Sequence, residues 1–158
     1  MSRRDARKHA FMMIYQLPFH KPDYFQEVIE SYVDVAEELN DECQEFRFAR
    51  LSDDEKRFML YEVNGVIENM SEIDALIAGN AKKWTFDRLA RVDLAIMRLA
   101  VFELLKANDV PVRVSINEAV ELCKQFGDEG SYAYVNGVLG KIAFITRGED
   151  RAAKGETR

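Results

Sequence analysis

The sequence predicts an all-α protein. Apolar residues recur at the three- and four-residue intervals of an amphipathic helix in seven segments, and no useful length alternates as a half-buried strand would. Capping residues, glycines and prolines stand where such helices should begin and end. With 158 residues, of which 47% are hydrophobic and 32% charged, the chain is typical of one globular domain. We therefore predict a single-domain bundle of about seven helices.

The first helix is predicted over residues 3–16, because Pro18 cannot continue it. Five apolar residues with helical spacing should face the core: Ala6, Ala10, Met13, Ile14 and Leu17. The neighbouring face carries cations and aromatic rings: Arg3, Arg4, Arg7, Lys8, Phe11 and Tyr15. Cations at a helix N-terminus oppose the macrodipole, so their number here favours a function such as binding an RNA backbone. The alternative is a solvated charge run, with the two rings packed against the next helix.

Three further helices are predicted before residue 84. Pro22 suits the first turn of the second helix, and residues 40–50 are polar enough to form a loop. Ser52 and Glu55 have the spacing of a capping box, which opens the third helix. Ser71 is expected to start the fourth helix.

The fifth helix is predicted over residues 88–106, with Asp87 as its cap. Its apolar residues surround almost the whole circumference, which indicates a buried helix or one with a face reserved for a partner. Glu103 falls within the apolar arc and, if it is buried, would need a cationic or N–H partner. Arg91 and Arg98 are seven residues apart, so we expect them to share an edge at the surface.

A helical hairpin is predicted to follow. Pro111 should end the preceding helix by about residue 107, and Ser115 with Glu118 forms a second capping-box pattern. Gly127 is placed to stop this helix in the left-handed conformation.

Ser131 is expected to cap the last helix, whose inward side includes Val135 and Val138. Gly137 and Gly140 lack side chains where a neighbouring backbone could approach closely. Residues 147–158 are almost free of apolar side chains, which is typical of a disordered tail. We therefore predict a domain over residues 1–146 and a tail over residues 147–158.

Charge is distributed unevenly. The net charge is −6, and residues 23–62 hold thirteen acidic side chains against four basic ones. Residues 1–8, in contrast, hold four basic side chains against one acidic one. Such a chain can bind a polyanion only locally, so a short single-stranded segment fits better than a long duplex.

Motifs for catalysis or metal binding are missing from the sequence. His9, His20, Cys43 and Cys123 show no metal-ligand spacing, and no nucleotide-binding or nucleophile motif is present. We expect no enzyme activity, cofactor or metal, and we interpret the two thiols as small buried side chains. No apolar run could span a bilayer and no signal peptide is evident, so a cytoplasmic location is expected.

Three segments occur in a characteristic order and spacing. They are R-R-D-A-R-K-H-A-F-M-M-I-Y-Q, W-T-F-D-R-L-A-R-V-D-L-A-I-M-R-L-A-V-F-E-L-L, and V-P-V-R-V-S-I-N-E-A-V-E-L-C-K-Q-F-G followed by S-Y-A-Y-V-N-G-V-L-G-K-I. Together they cover about half of the chain. In this combination the sequence resembles the NusB family of bacterial transcription antitermination factors.

The resemblance implies a function. Members of this family bind the boxA element of nascent RNA together with NusE, the small-subunit ribosomal protein. The complex loads onto RNA polymerase and suppresses termination, notably in ribosomal RNA operons. Two alternatives are an RNA-binding accessory domain like that of ribosomal RNA cytosine methyltransferases, and a self-associating helical protein that forms a homodimer.

The resemblance also implies site residues. Nine positions match the RNA-binding side of the family: Arg3, Arg4, Arg7, Lys8, Tyr15, Asp87, Lys124, Ser131 and Tyr134. Three match positions that lie toward NusE: Asp93, Arg98 and Val112. Asp5 departs from the fully basic pattern of some relatives, and Gly130 stands where others carry an acidic residue.

Overall fold

The computed structural model describes residues 3–39, 51–81 and 89–156. Within these ranges the backbone forms seven α-helices, two short 3-10 helices and no strand, which confirms the all-α prediction. No helix in the described ranges is long and apolar enough to cross a membrane. The chain divides into two compact units, unit 1 (Met1–Asn64) and unit 2 (Gly65–Arg158).

Unit 1 begins with helix α1 (Arg3–Gln16), which has the predicted bounds. Two 3-10 helices, Leu17–Phe19 and Pro22–Tyr24, connect α1 to α2 (Phe25–Leu39). Each has a proline in its first turn, where a helix tolerates this residue. The predicted apolar stripe of α1 is completely buried. His9 Nδ1 lies 2.6 Å from the Tyr32 hydroxyl in a buried hydrogen bond that joins α1 to α2.

Helix α3 (Asp53–Glu68) starts with the predicted capping box. The Ser52 N–H donates to Glu55 Oε1 at 3.2 Å, and the Glu55 N–H donates to Ser52 Oγ at 3.1 Å. Two backbone N–H groups of the helix start are thereby satisfied. The boundary between the units falls inside α3, after Asn64. The predicted loop over residues 40–50 lies outside the described residues.

Unit 2 contains α4 (Met70–Asn80), α5 (Arg91–Lys106), α6 (Val112–Phe126) and α7 (Ser131–Glu156). Helix α5 packs against the other three, which explains why its sequence is apolar on nearly every side. Gly65 is also needed for this packing, because the Phe102 ring occupies the space that a Cβ would take. This glycine was not among the residues singled out from the sequence.

The predicted start of α6 was wrong. The helix begins at Val112, three residues before Ser115, because Pro111 has the extended backbone of an N-cap residue. Ser115 is therefore inside the helix, where its hydroxyl donates to Glu103 Oε1 at 2.7 Å. Both side chains are almost completely buried. Glu103 is therefore buried with a polar partner, although this donor is a hydroxyl and not the predicted cation or N–H group.

Other helix ends differ by smaller amounts. Helix α5 begins at Arg91 rather than at residue 88 and ends at Lys106 as predicted, while Asp87 lies outside the described residues. Helix α4 begins one residue before Ser71. Gly127 ends α6 in an extended conformation, with φ −88° and ψ 174°, so the predicted left-handed stop was wrong.

The interpretation of Gly137 as a point of close approach was also wrong. A Cβ at this position would meet nothing within 4 Å. The residue lies on the exposed side of α7. Close packing is therefore not the reason for this glycine.

Arg147 interrupts α7 with non-helical backbone angles of φ −137° and ψ 44°. Its guanidinium donates to the carbonyl oxygens of Glu103, Leu104, Ala107 and Val110 at 2.6–3.0 Å. Arg147 thereby binds carbonyl groups at the end of α5 and in the turn that follows it. Two of these carbonyls also accept a backbone N–H, Glu103 from Ala107 and Ala107 from Val110, so Arg147 adds a second donor there. The backbone is helical again up to Glu156, and the division into a domain and a tail stays a prediction.

Candidate RNA and partner surfaces

The cationic residues of α1 lie on two adjacent sides of the helix. Arg4 and Lys8 share one side, and Arg3 and Arg7 share the next, because residues four apart lie one above the other. Arg4 is exposed and Lys8 is half-buried. Arg3 is exposed, whereas Arg7 has only 6% of its surface accessible. The predicted basic face therefore combines exposed guanidinium groups with a buried one.

The ring of Phe58, in α3, lies under both members of the second pair. The guanidinium carbon of Arg3 is 4.3 Å from the ring centroid, and that of Arg7 is 5.3 Å from it. Both distances are within the range of cation–π interactions. Phe58 was not among the predicted site residues, and the sequence offers no signal that pairs it with α1.

Tyr15 belongs to a row of aromatic side chains that continues from the basic part of α1. Its ring centroid lies 6.4 Å from that of Phe11 and 5.8 Å from that of Phe19. Phe11 is buried, as expected, and Tyr15 is half-buried. Phe19 is 56% exposed and was missed by the sequence analysis. Its four-residue spacing from Tyr15 could have indicated it.

In unit 2, Lys124 lies at the end of α6 beside the start of α7. Its ammonium group is 5.3 Å from the ring centroid of Tyr132 and 3.8 Å from Glu121 Oε1. All three side chains are exposed, so the ion pair contributes little to stability. Tyr132 was not among the predicted site residues, although it follows Ser131 directly. The pair of cation and exposed ring is a suitable platform for a nucleotide.

Three of the predicted residues meet in a polar cluster, which consists of Asp93, Ser131 and Tyr134. Asp93 is only 8% exposed. No hydrogen bond of normal geometry reaches Asp93 Oδ1, Ser131 Oγ or the Tyr134 hydroxyl from the described residues, and all three atoms are buried. A buried polar atom without a hydrogen bond lowers the stability of the folded protein. Such atoms are typical of positions where another molecule supplies the missing partner.

Gly127 allows the polar cluster to form. A Cβ at this residue would lie 2.5 Å from Ser131 Oγ, 2.8 Å from the Cys123 carbonyl oxygen and 3.3 Å from Asp93 Oδ1. Any side chain at this position would therefore clash with the Ser131 hydroxyl and with the Cys123 carbonyl in the last turn of α6. The requirement for glycine here is steric rather than conformational.

The titratable groups in and beside the polar cluster have raised pKa values. Burial raises the pKa of the Asp93 carboxyl, the nearby Ser131 hydroxyl lowers it, and the charge of Asp128 raises it. Burial, with a further contribution from Asp93, raises the pKa of the Cys123 thiol to about 12, which keeps it protonated. Cys123 is buried, as the sequence analysis predicted. Burial and the charge of Asp93 also raise the pKa of the Tyr134 hydroxyl.

The expectation that Arg98 lies at the surface was wrong. Its side chain makes two hydrogen bonds to Asp74, from Nε to Oδ1 at 2.8 Å and from Nη2 to Oδ2 at 2.9 Å. Arg98 is 8% exposed because α4 covers it. Val112, the third predicted partner residue, is also buried at the start of α6. The partner-binding roles of Asp93, Arg98 and Val112 stay predictions.

The described residues contain no group of three or more side chains that could hold a metal ion. Together, these features define an all-helical protein with a cationic first helix and a polar cluster between its last helices.

The family model described as "NusB family" matches residues 4–144. The transcription antitermination protein NusB of Lachnoclostridium phytofermentans is 38% identical over 142 residues, which are 90% of this chain and 98% of the relative. The protein of the same name from Agathobacter rectalis is 41% identical over 143 residues, with 90% and 100% covered. The chain belongs to the NusB family, as the resemblance implied.

Two solved structures are similar in fold. NusB of T. maritima has a TM-score of 0.79 at 31% identity, and 96% of this chain and 98% of that one are covered. A crystal structure of the antitermination factors NusB and NusE in complex with dsRNA has a TM-score of 0.67 at 26% identity, with 90% and 96% covered. In the second structure a protein of this fold is in complex with NusE and dsRNA.

Proposed function

We propose that this chain is a transcription antitermination factor that binds boxA-type single-stranded RNA together with NusE and helps RNA polymerase to read through terminators. It acts by binding, without a catalytic step or a cofactor, and its place of action is the cytoplasm. The observation that carries the proposal is the group of four cations in the first two turns of α1, in a chain whose net charge is −6. Membership of the NusB family supports it.

The first helix supplies the electrostatic part of this function. Arg3 and Arg4 are exposed near the start of α1, so they can neutralise phosphate groups and release counterions. Tyr15 and Phe19 follow along the same segment, and their rings can stack on unpaired bases, at about 1–3 kcal/mol per base. A single strand exposes its bases for such stacking, whereas a duplex does not.

The polar cluster supplies contacts of another kind. The carboxyl of Asp93 accepts hydrogen bonds, and the hydroxyl groups of Ser131 and Tyr134 can donate or accept them. A basic or hydrogen-bonding group of NusE, or an RNA group, would satisfy these buried atoms. Such a contact should depend little on salt concentration, because buried groups are screened much less by solvent ions.

A binding titration tests the proposal. Fluorescence anisotropy of a labelled boxA-type single strand is measured with increasing protein, alone and with NusE, and the same is done with a matched duplex and a scrambled single strand. We expect the boxA-type strand to bind most tightly and NusE to strengthen its binding. Equal affinity for all three RNAs, or no effect of NusE, would contradict the proposal.

Sedimentation separates this function from simple self-association. A homodimer that covers the partner surface would dissociate when NusE is added, or would fail to bind it. We expect a complex that contains one copy of each protein. A dimer of this chain that persists and excludes NusE would favour the alternative of a self-associating helical protein.

A further inference from the structure

A surface groove in unit 2 runs along α7, beside the last turn of α4. It has a volume of about 500 Å³ and is open to solvent. Asn80, the last residue of α4, lines one side of it. The other side is formed by residues on two adjacent rows of α7, which include Gly137, Gly140, Lys141, Phe144 and Ile145.

One end of the groove is formed by the two most exposed large apolar side chains of the described residues. Phe144 is 61% exposed and Ile145 is 59% exposed, whereas Ile142 and Ala143, which precede them, are completely buried. Helix α7 therefore has a second apolar side besides the one that packs in the core. Exposed apolar side chains that adjoin each other in a groove indicate a site of interaction, unlike single ones scattered over a surface.

Gly137 leaves room in the groove for another molecule. A Cβ at this residue would meet nothing within 4 Å, so the backbone of α7 can be approached closely here. Glycine in a helix interior lowers stability relative to alanine, and a common reason for it is the close approach of a ligand. Gly137 and Phe144 are two helical turns apart, which is about 10 Å along the axis.

Lys141 is the only charged side chain among the described residues that line the groove. It is exposed, and its ammonium group makes no ion pair or hydrogen bond with the described part of the chain. The whole chain, in contrast, has a net charge of −6. A groove with one cation and no carboxylate is complementary to an acidic group on a partner.

The geometry of the groove distinguishes between classes of partner. It follows a helix, and the described ranges contain no strand to which an extended peptide could add. One cation is also few for an RNA backbone, whose binding releases counterions from several phosphate groups.

A second copy of this chain is disfavoured by charge. A two-fold contact between two α7 helices would place the apolar pair of each copy on Gly137 of the other. Lys141 lies about midway between these positions, so it would face its own counterpart. Like charges in contact repel each other.

We propose that this groove is a docking site for an acidic amphipathic helix of a protein partner. The helix places apolar side chains against Phe144 and Ile145, approaches α7 closely at Gly137, and sets a carboxylate beside Lys141. Recognition of this kind uses anchors at helical spacing, up to two turns apart. The inference goes beyond the proposed function, because it does not require that α1 binds RNA.

Selection from a peptide library tests the proposal with the full chain. The phage-displayed peptides are about 15 residues long, enough to form a helix. They carry varied apolar residues at helical spacing and either Glu or Lys at the flanking positions. We expect acidic peptides with two apolar anchors to be enriched. No enrichment over a counter-selection against Phe144→Ser would overturn the proposal.

Reversal of the charge at Lys141 tests the predicted carboxylate. In Lys141→Glu, the best acidic peptide should bind roughly 3- to 10-fold more weakly by fluorescence anisotropy, and its Lys counterpart should bind more tightly. Lys21→Glu makes the same change at an exposed cation of unit 1 and should alter neither affinity. An unchanged preference for the acidic peptide in Lys141→Glu would overturn the proposal.

Two variants test the shape of the groove. Phe144→Ser removes part of the apolar wall, and Gly137→Leu fills the space above α7. Each should weaken binding of the acidic peptide by about 10-fold or more. Val35→Ser, which alters an exposed apolar side chain of α2, is the matched control and should bind normally. If either groove variant unfolds, the charge reversal at Lys141 still decides the question.

Two further measurements identify other occupants of the groove. A dimer of the unchanged chain in sedimentation that Phe144→Ser dissociates would show that a second copy occupies it. Weaker binding of the labelled boxA-type single strand by Phe144→Ser would show that RNA does. Either result would overturn the proposal, and we expect neither.

Discussion

The cationic start of α1 and the polar cluster of unit 2 use polar groups in opposite ways. On α1, Arg3 and Arg4 are exposed to solvent. In unit 2, Asp93 is 8% exposed, and buried atoms of Ser131 and Tyr134 lack a hydrogen-bond partner among the described residues. The resemblance to the NusB family assigns both groups to binding surfaces, but the cations of α1 are exposed, whereas the polar cluster is buried.

The difference predicts how each surface responds to conditions. Exposed cations act on a polyanion through counterion release, which depends steeply on salt. Buried donors and acceptors are screened much less, and they depend on the packing that holds them. Salt should therefore affect the contribution of α1, whereas changes in pH or in helix packing should affect that of the polar cluster. Four variants test this comparison.

Replacement of Arg147 should have the largest effect. Arg147→Met removes a charged donor that bonds to four backbone carbonyls, and we expect a loss of about 2–4 kcal/mol in the free energy of unfolding. This corresponds to a fall in Tm of roughly 5–15 °C, which thermal denaturation followed by circular dichroism would measure.

The same variant tests whether a change in unit 2 alters the salt dependence of RNA binding. Because Arg147 belongs to unit 2, the salt dependence of RNA binding should keep its slope in Arg147→Met below the melting temperature. A change in Tm of less than about 1 °C would show that the four hydrogen bonds contribute little. A changed slope would show that the two regions are not independent.

Removal of two cations from α1 should have the next largest effect. We expect the double variant Arg4→Ala/Lys8→Ala to lose roughly 10- to 100-fold in affinity for the boxA-type strand at low salt. The slope of log K against log salt should become shallower by about 0.7 for each lost phosphate contact. Lys21→Ala, which removes an exposed cation from the same unit, should leave the slope unchanged. If both proteins have the slope of the unchanged chain, this side of α1 does not bind RNA.

A smaller effect is expected for Asp93→Asn. Because burial raises the pKa of Asp93 in the folded protein above its ordinary value of 3.8, the folded state holds the proton more tightly than the unfolded state does. Protonation of Asp93 therefore stabilises the folded protein fully at a pH below the ordinary pKa. This stabilisation is lost as the pH rises through the raised pKa of the folded state. Asparagine does not titrate, so this part of the pH dependence should vanish.

Urea denaturation at a series of pH values measures this difference. Asp23→Asn, which alters an exposed carboxylate, is the matched control and should keep the pH dependence of the unchanged protein. An identical pH dependence in Asp93→Asn would contradict the burial of this carboxyl. The variant should also bind NusE differently if the polar cluster contacts the partner.

The smallest effect is expected for Gly137→Ala. A Cβ at Gly137 meets nothing within 4 Å, and the residue lies in the interior of α7. Alanine should therefore stabilise the protein by about 0.5–1 kcal/mol through its higher helix propensity. Gly127→Ala is the contrasting change and should destabilise, because its Cβ would clash with Ser131 Oγ and the Cys123 carbonyl. Loss of stability in Gly137→Ala would indicate a close contact at this residue.

Local chemistry explains which elements could be predicted. The limits of α1 follow from the position of Pro18, and the start of α3 follows from the hydrogen-bonding range of Ser52 and Glu55. The need of Glu103 for a partner follows from its place in an apolar arc. Each of these conclusions involves residues close together in the chain, so spacing alone carries the information.

Contacts between distant segments explain the errors. Arg98 looks like a surface residue until α4 brings Asp74 to it from 24 residues away. Ser115 has the spacing of a cap, but Pro111 starts the helix earlier and Glu103 takes the hydroxyl. Gly137 resembles a packing glycine, whereas the tight approach occurs at Gly65 and Phe102. A second segment decided the outcome at Arg98 and supplied the partner of Ser115, whereas the early start of α6 depends on the nearby Pro111.

The amino-acid sequence by itself determined the helical fold class, most of the helix ends, the concentration of cations on α1 and the likeness to the NusB family. These properties depend on neighbours within one or two helical turns. The tertiary structure alone decided that Phe58 lies beneath Arg3 and Arg7, that Asp93 meets Ser131 and Tyr134, and that Arg147 caps α5. Such partners are tens of residues apart, and only the packing of whole helices determines which of them come within reach.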